Sequence, residues 1–156
     1  MSTQVASTTF SINAGVQGSV KGFVAKNVSL APYAAVILPT STNTFSYGTA
    51  VKIVEYAGAQ YSSETFVEKA AANDDIFGFI PYDIRYASFG VGTAIAVQNT
   101  GVMTMESGAA ITAGSYVEYA PTGDKVIPWA GTNAKIGRAL ESVAGSGFLI
   151  QIQIKL

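Results

Sequence analysis

Hydrophobic and polar positions alternate with a period of two in short runs, and glycines interrupt the runs at close intervals. The last run is the clearest: Phe148, Ile150, Ile152 and Ile154 share one parity, and Leu149, Gln151, Gln153 and Lys155 share the other. In an extended chain these parities occupy opposite faces, so the run predicts a strand with one buried side. Comparable runs predict strands at 9–13, 20–26, 34–38, 50–56, 76–81, 93–98, 102–106, 115–119, 125–127, 134–141 and 148–155. The fold class that follows is all-β: a sandwich or barrel of short antiparallel strands, with at most one short helix.

The stretch ITAGSYVEYAPTGDKVIP, residues 111–128, reads as a hairpin. Proline at 121 fixes φ and glycine at 123 tolerates a positive φ, which suits a reversal. Val117 and Ile127 are expected to face inward, with Glu118, Asp124 and Lys125 at a soluble rim. Thr65-Phe-Val-Glu68 fits a capping box ahead of Lys69-Ala-Ala-Ala-Asn73, a short helix; Phe66 and Val67 suit a strand equally well.

An approximate repeat runs through the chain. Gly48-Thr-Ala-Val51 is answered by Gly114-Ser-Tyr-Val117, Asn73-Asp-Asp-Ile76-Phe-Gly78 by Asn133-Ala-Lys-Ile136-Gly137, and the run 92–98 by 148–153. Either one β unit has been duplicated or a chain rich in glycine and β-branched residues repeats by chance. The first thirty residues differ in texture, being Ser, Thr, Asn, Gln and Gly with isolated apolar residues and no charge before Lys21. They are expected to form an N-terminal arm or edge strand, 1–30, on a β-rich core domain, 31–156.

Composition narrows the function. Hydrophobic residues make up 49% of the 156 and charged residues only 12%, about half the usual share near 25%. So neutral a surface is poorly protected against association. The net charge of −1 and the absence of any Lys/Arg cluster exclude the electrostatic footprint of a nucleic-acid binder. No cysteine and no histidine occur, which removes disulfides, thiolate chemistry, the common zinc spheres and the usual neutral-pH base. No cofactor is expected. The N-terminus has neither a basic nor an apolar signal region. The longest apolar run, 34–38, is far short of the roughly 20 residues of a membrane helix.

Only carboxylates remain for catalysis. Asp74 and Asp75 are adjacent, so in a strand they would face opposite ways. Asp124 beside Lys125, and Asp83 near Arg85, read as solvated pairs worth about 0–1 kcal/mol. Glu55, Glu64, Glu68, Glu106, Glu118 and Glu141 could supply a hydrolase pair, with Glu106 or Glu118 the residues to test, but no motif makes two of them converge. Aromatic residues are more suggestive at 11%. Phe10, Tyr33, Tyr47, Tyr61, Tyr86 and Trp129 lie beside turn residues, where exposure suits them to protein interfaces. Val5 and Ile12 join them on the arm as candidate contacts with a partner or with another copy.

The stretches 66–82, 90–97 and 102–114, followed by Ile136-Gly-Arg-Ala-Leu-Glu141 and Ile150-Gln-Ile-Gln-Ile154, resemble the small decoration or structural cement proteins of tailed bacteriophages. The resemblance covers the last ninety residues or so, and its most specific part is Gly-Ala-Ala-Ile-Thr-Ala-Gly, V-x-Y, a turn, then Ile-Gly-x-Ala-Leu. It implies a virion protein on the outer face of an icosahedral head, present in the host cytoplasm during assembly. Such a protein binds between major capsid protein subunits and holds the expanded shell against packaged DNA. It implies no catalytic residue, and because members of the family sit as trimers, dimers or monomers it carries over no symmetry; self-association is expected of this chain, a trimer in preference to a dimer. The alternative is a tail, fibre or carbohydrate-binding β module.

Overall fold

The structure, a computed structural model, describes residues 21, 24–25, 33–58, 64–83 and 85–156. Val5, Phe10, Ile12, Tyr61 and the expected strand at 9–13 lie outside the described residues, as does most of the expected arm.

Eleven strands are described: β1 (Val24–Ala25), β2 (Tyr33–Ile37), β3 (Ala50–Val54), β4 (Phe66–Lys69), β5 (Gly78–Phe79), β6 (Ala94–Val97), β7 (Thr100–Ser107), β8 (Tyr116–Ala120), β9 (Lys125–Pro128), β10 (Gly137–Ala139) and β11 (Leu149–Lys155). They form two sheets. One has the order β5-β3-β4-β2-β6 and the other β1-β7-β11-β10-β8-β9, with β7 also paired to β9. The first sheet bends round until Phe79 bridges Gln98, just past the end of β6, and the second closes through β7 and β9. Each is therefore barrel-like, which hides the edges that an open sheet would leave unpaired.

The two barrels repeat each other register for register. Strands β2–β6 correspond to β7–β11. Val51 opposite Gly78 matches Val117 opposite Gly137, and Ala50 opposite Phe79 matches Tyr116 opposite Arg138. Ile53 opposite Val67 matches Tyr119 opposite Val126. Tyr33 opposite Val97 matches Met103 opposite Ile152. Even the one parallel pair recurs, β2 with β4 and β7 with β9, so the strands are not all antiparallel. The duplicated β unit is thus the architecture of the molecule. One detail of the sequence alignment shifts: the N–H groups of Phe77 and Ile136 both donate to the opposing valine carbonyls, so Phe77, not Ile76, is the counterpart of Ile136.

Local chemistry explains the repeat. Gly48 and Gly114 both take a positive φ (84° and 81°), a conformation glycine adopts at no steric cost. Their N–H groups donate across the barrel to the carbonyls of Ile80 and Ala139, and the following Thr49 and Ser115 close four-residue turns onto Ser46 and Thr112. Gly92 and Gly147 do the same ahead of β6 and β11, donating to Ile37 and Ser107.

No helix occurs among the described residues. The segment that also fitted a capping box is β4 instead, pinned between β2 and β3. Two buried clusters fill the barrels. Ala35, Ile37, Val51, Val67, Ile95 and Val97 belong to the first, and Met103, Met105, Val117, Tyr119, Val126, Ile150 and Ile152 to the second. The second cluster also takes in Ala50, Ala70, Ile76 and Phe79 from the outer side of the first barrel. That side closes one end of the second barrel, with the Phe79 ring edge-on to Tyr119 at 6.0 Å.

Candidate interaction surfaces

The expected aromatic contacts are dispersed. Tyr33 is exposed on β2 with its ring 5.3 Å from Phe77. Tyr47 is half-buried, edge-on to Tyr82 at 5.1 Å. Tyr86 is exposed, with Phe89 at 5.8 Å and the Arg85 guanidinium 5.3 Å above its ring. Trp129 is exposed on the second barrel and donates its indole N–H to the Asn133 carbonyl at 2.7 Å. No ring contact or hydrogen bond joins any two of these four.

Trp129 belongs instead to a group that the sequence did not single out. Tyr116 stands beside it at 6.3 Å. Lys135 Nζ lies 4.0 Å from the Trp129 ring and 4.3 Å from the Tyr116 ring. Arg138 stacks on the other part of Tyr116 at 4.4 Å and donates to its hydroxyl at 2.6 Å. That hydrogen bond, aided by the charges of Arg138, Lys135 and Lys155, holds the Tyr116 phenol below its ordinary pKa. Tyr116, Lys135, Arg138, Gln153 and Lys155 line a groove of about 570 Å³. Among the described residues, Lys52, Lys69, Arg85 and Lys125 are ion-paired, whereas Lys135, Arg138 and Lys155 have no carboxylate partner. Three cations without counter-ions therefore share one aromatic face, an arrangement that attracts anionic and aromatic groups alike. The sequence scatters these residues over four separate segments. Only the pairing of β10 between β8 and β11 brings Arg138 opposite both Tyr116 and Gln153.

The hairpin at 111–128 forms as expected, but its acids do not stand at a soluble rim. Glu118 is buried and accepts from the Ala130 N–H and the Asn133 amide. Asp124 is buried and accepts from Tyr119 and from Thr49, and pairs with Lys69 at 2.9 Å rather than standing in solvent with Lys125. Lys125 reaches Glu106 at 2.8 Å instead. Val117 is buried, yet the inward partner in β9 is Val126 and not Ile127, because the β8–β9 register pairs Tyr119 with Val126. A carboxylate without partners is costly to bury, so Asp124 is inside because the first barrel supplies Thr49 and Lys69, and Glu118 because Ala130 and Asn133 donate to it.

Most other acids also hold structure. Glu68 accepts from Ser41 and Asn43, and Glu141 from the Gln151 N–H. Asp74 is held below the usual carboxylate range by the Ala71 N–H first and Lys52 second. Asp83, gripped by Arg85, is lowered to about 2. Glu106 is ion-paired and Glu118 is doubly hydrogen-bonded, so neither residue proposed for catalysis is a free carboxylate facing a cleft.

No protein-family model matches the chain, and no curated protein does. Among solved structures, the chain is similar to the head fiber gp8.5 N base of bacteriophage phi29, with a TM-score of 0.51 and 16% identity over 80% of this chain and 93% of that one. At that identity the likeness is one of fold: this chain shares the all-β architecture of a phage head fibre base.

Proposed function

We propose that this chain is a non-enzymatic structural protein of a bacteriophage virion. It sits on the outer face of the head, binds across adjacent major capsid protein subunits, and cements the shell against the pressure of packaged DNA. Its partners are the capsid protein and further copies of itself. The observation that carries the reading is the shared fold with the base of a phage head fibre. Two features support it. Exposed aromatic side chains stand at separate places, Tyr33, Tyr86 and Trp129, which suits simultaneous contact with several subunits and the avidity that follows. The carboxylates that could have formed a catalytic pair are instead used as structural hydrogen-bond acceptors and ion-pair partners.

The test adds the purified protein to expanded heads that lack it. Co-sedimentation, electron cryo-microscopy density on the outer face, and a rise in the temperature at which the heads release DNA are the expected results. Heads that neither bind the protein nor change their resistance would refute the reading. A second reading, the anchoring base of a fibre, is favoured by the same structural neighbour. Binding to heads with no gain in resistance would select it.

A further inference from the structure

The duplication supplies a template for an interface that the single chain leaves half made. The side of the first barrel that closes the second consists of Ala50, Ala70, Ile76 and Phe79, all buried. Register identifies their counterparts on the second barrel. Ala50 opposite Phe79 matches Tyr116 opposite Arg138. The Ala70 N–H donates to Ala50 as the Trp129 N–H donates to Tyr116. Ile76, one residue before Phe77, corresponds to Lys135, one before Ile136. The counterpart side is therefore Tyr116, Trp129, Lys135 and Arg138, the exposed aromatic and cationic face described above.

The receiving end shows the converse. In the second barrel Met103 and Tyr119, covered by the first barrel's side, have no exposure (0%). Their counterparts in the first barrel are Tyr33 and Ile53, exposed by 52% and 57%. Ile53 does not stand alone: it lines one depression with Phe77, whose ring is 5.3 Å from Tyr33, so the three form a contiguous apolar patch among the described residues, the kind of surface that marks a contact site. Glu55 and Asp75 are exposed on the same barrel, Glu55 two residues beyond Ile53, and Asp75 lines the same depression together with Ile53, Phe77 and Lys52, whose ammonium is neutralised by Asp74 at 2.9 Å. Among the described residues, one chain thus leaves exposed a side that is aromatic and positively charged, and an end that is apolar with Glu55 and Asp75 beside it.

We propose that the side of the second barrel receives the first barrel's open end from another copy of this chain. The contact repeats, between copies, the packing that joins the two barrels within one copy. Tyr116 and Trp129 cover Tyr33 and Ile53, and Lys135, Arg138 and Lys155 meet Glu55 and Asp75. Because different surfaces meet, the contact is heterologous, and copies join head to tail. The cations explain why the side differs in chemistry from its buried counterpart. An interface that must form between separate molecules gains orientation and partner discrimination from opposite charges, whereas the tethered pair of barrels needs only apolar packing. The inference rests on the proposed reading only in placing such copies on a head; the contact itself is a property of the free protein.

Two variants of the full chain test it, each altering one surface at exposed positions. Lys135→Glu with Arg138→Glu spoils the side, and Ile53→Lys, which sets a cation against Lys135 and Arg138, spoils the end. The wild type is expected to associate in sedimentation-velocity and light-scattering experiments, and each variant alone to be monomeric, with self-association weakened by about tenfold or more, which is ~1.4 kcal/mol. Mixing the two variants gives the decisive readout, because each retains the surface that the other lacks: a complex of one copy of each should form and grow no further. Should either variant misfold by circular dichroism, Arg138→Ala and Tyr33→Ser replace the pair. A wild type that stays monomeric, variants that associate as the wild type does, or a mixture that forms no complex would each overturn the proposal. A monomer that still decorates heads would end this inference and leave the head reading standing; head-to-tail copies that ignore heads would do the reverse.

Discussion

At the scale of single residues, two glycines carry more than turn geometry. Gly78 and Gly137 occupy the same place in the two barrels, where β5 or β10 crosses closest to the end of the last strand. A Cβ on Gly78 would meet the Val97 Cγ1 at 2.5 Å and the Gln98 carbonyl oxygen at 2.8 Å, and one on Gly137 would lie 2.1 Å from the Gln153 carbonyl oxygen. At Gly137 the obstruction is backbone throughout, which cannot turn aside as a flexible side chain would. Gly137→Ala is expected to cost about 1–3 kcal/mol or more by overpacking, measured by urea unfolding. Gly145→Ala is the control, since its Cβ would meet only Phe148 at 3.9 Å; it should stay within about 0.5 kcal/mol. The sequence shows Gly137 inside a run otherwise read as strand. It cannot show that the obstacle is contributed by residue 153.

At the scale of elements, period-two patterning placed most strands to within a few residues and failed where neighbours intervened. In β11 the parity holds for Ile150, Ile152 and Ile154, all buried, but Phe148 lies before the strand begins and is exposed. Ile150→Ala should therefore cost about 2–5 kcal/mol, while Phe148→Ala should leave stability within about 0.5 kcal/mol; thermal or denaturant unfolding of the two side by side checks both. The opposite error occurred at β4. Thr65 and Glu68 have the spacing of a capping box, yet Glu68 accepts from Ser41 and Asn43, and Val67 is buried opposite both Ile37 and Ile53. Strand pairing on two sides outweighs a local helix signal of this length, because a short isolated helix is marginal on its own.

At the scale of the whole molecule, the joint between barrels is polar at its centre. Tyr119 donates to Asp124, which also accepts from Thr49 and pairs with Lys69, so both barrels meet on one carboxylate. Burial first, and the hydrogen bond to Asp124 second, raise the Tyr119 phenol well above its ordinary pKa. The folded protein thus retains a proton that the unfolded chain gives up near pH ~10. The stability from this group is complete below about pH 10 and is lost as the pH climbs beyond it. Tyr119→Phe should flatten that alkaline loss while costing about 1–3 kcal/mol at neutral pH, since Asp124 loses one donor and keeps two. Unfolding free energies from neutral to strongly alkaline pH, compared between wild type and variant, read both effects.

The sequence by itself determined the class of fold, most strand positions and the lack of side chains for thiol or imidazole chemistry, and it showed a repeat without deciding between duplication and chance. These follow from period, composition and spacing, which are local properties of the chain. The tertiary structure alone decided which acids are buried, that Phe79 and Tyr116 stand at matching faces with opposite fates, and that Lys135, Arg138 and Lys155 converge. Each of those depends on strands distant in sequence being brought into register, and on one barrel covering the other. A duplicated pattern fixes two equivalent surfaces, but which of them is covered depends on which barrel packs against which.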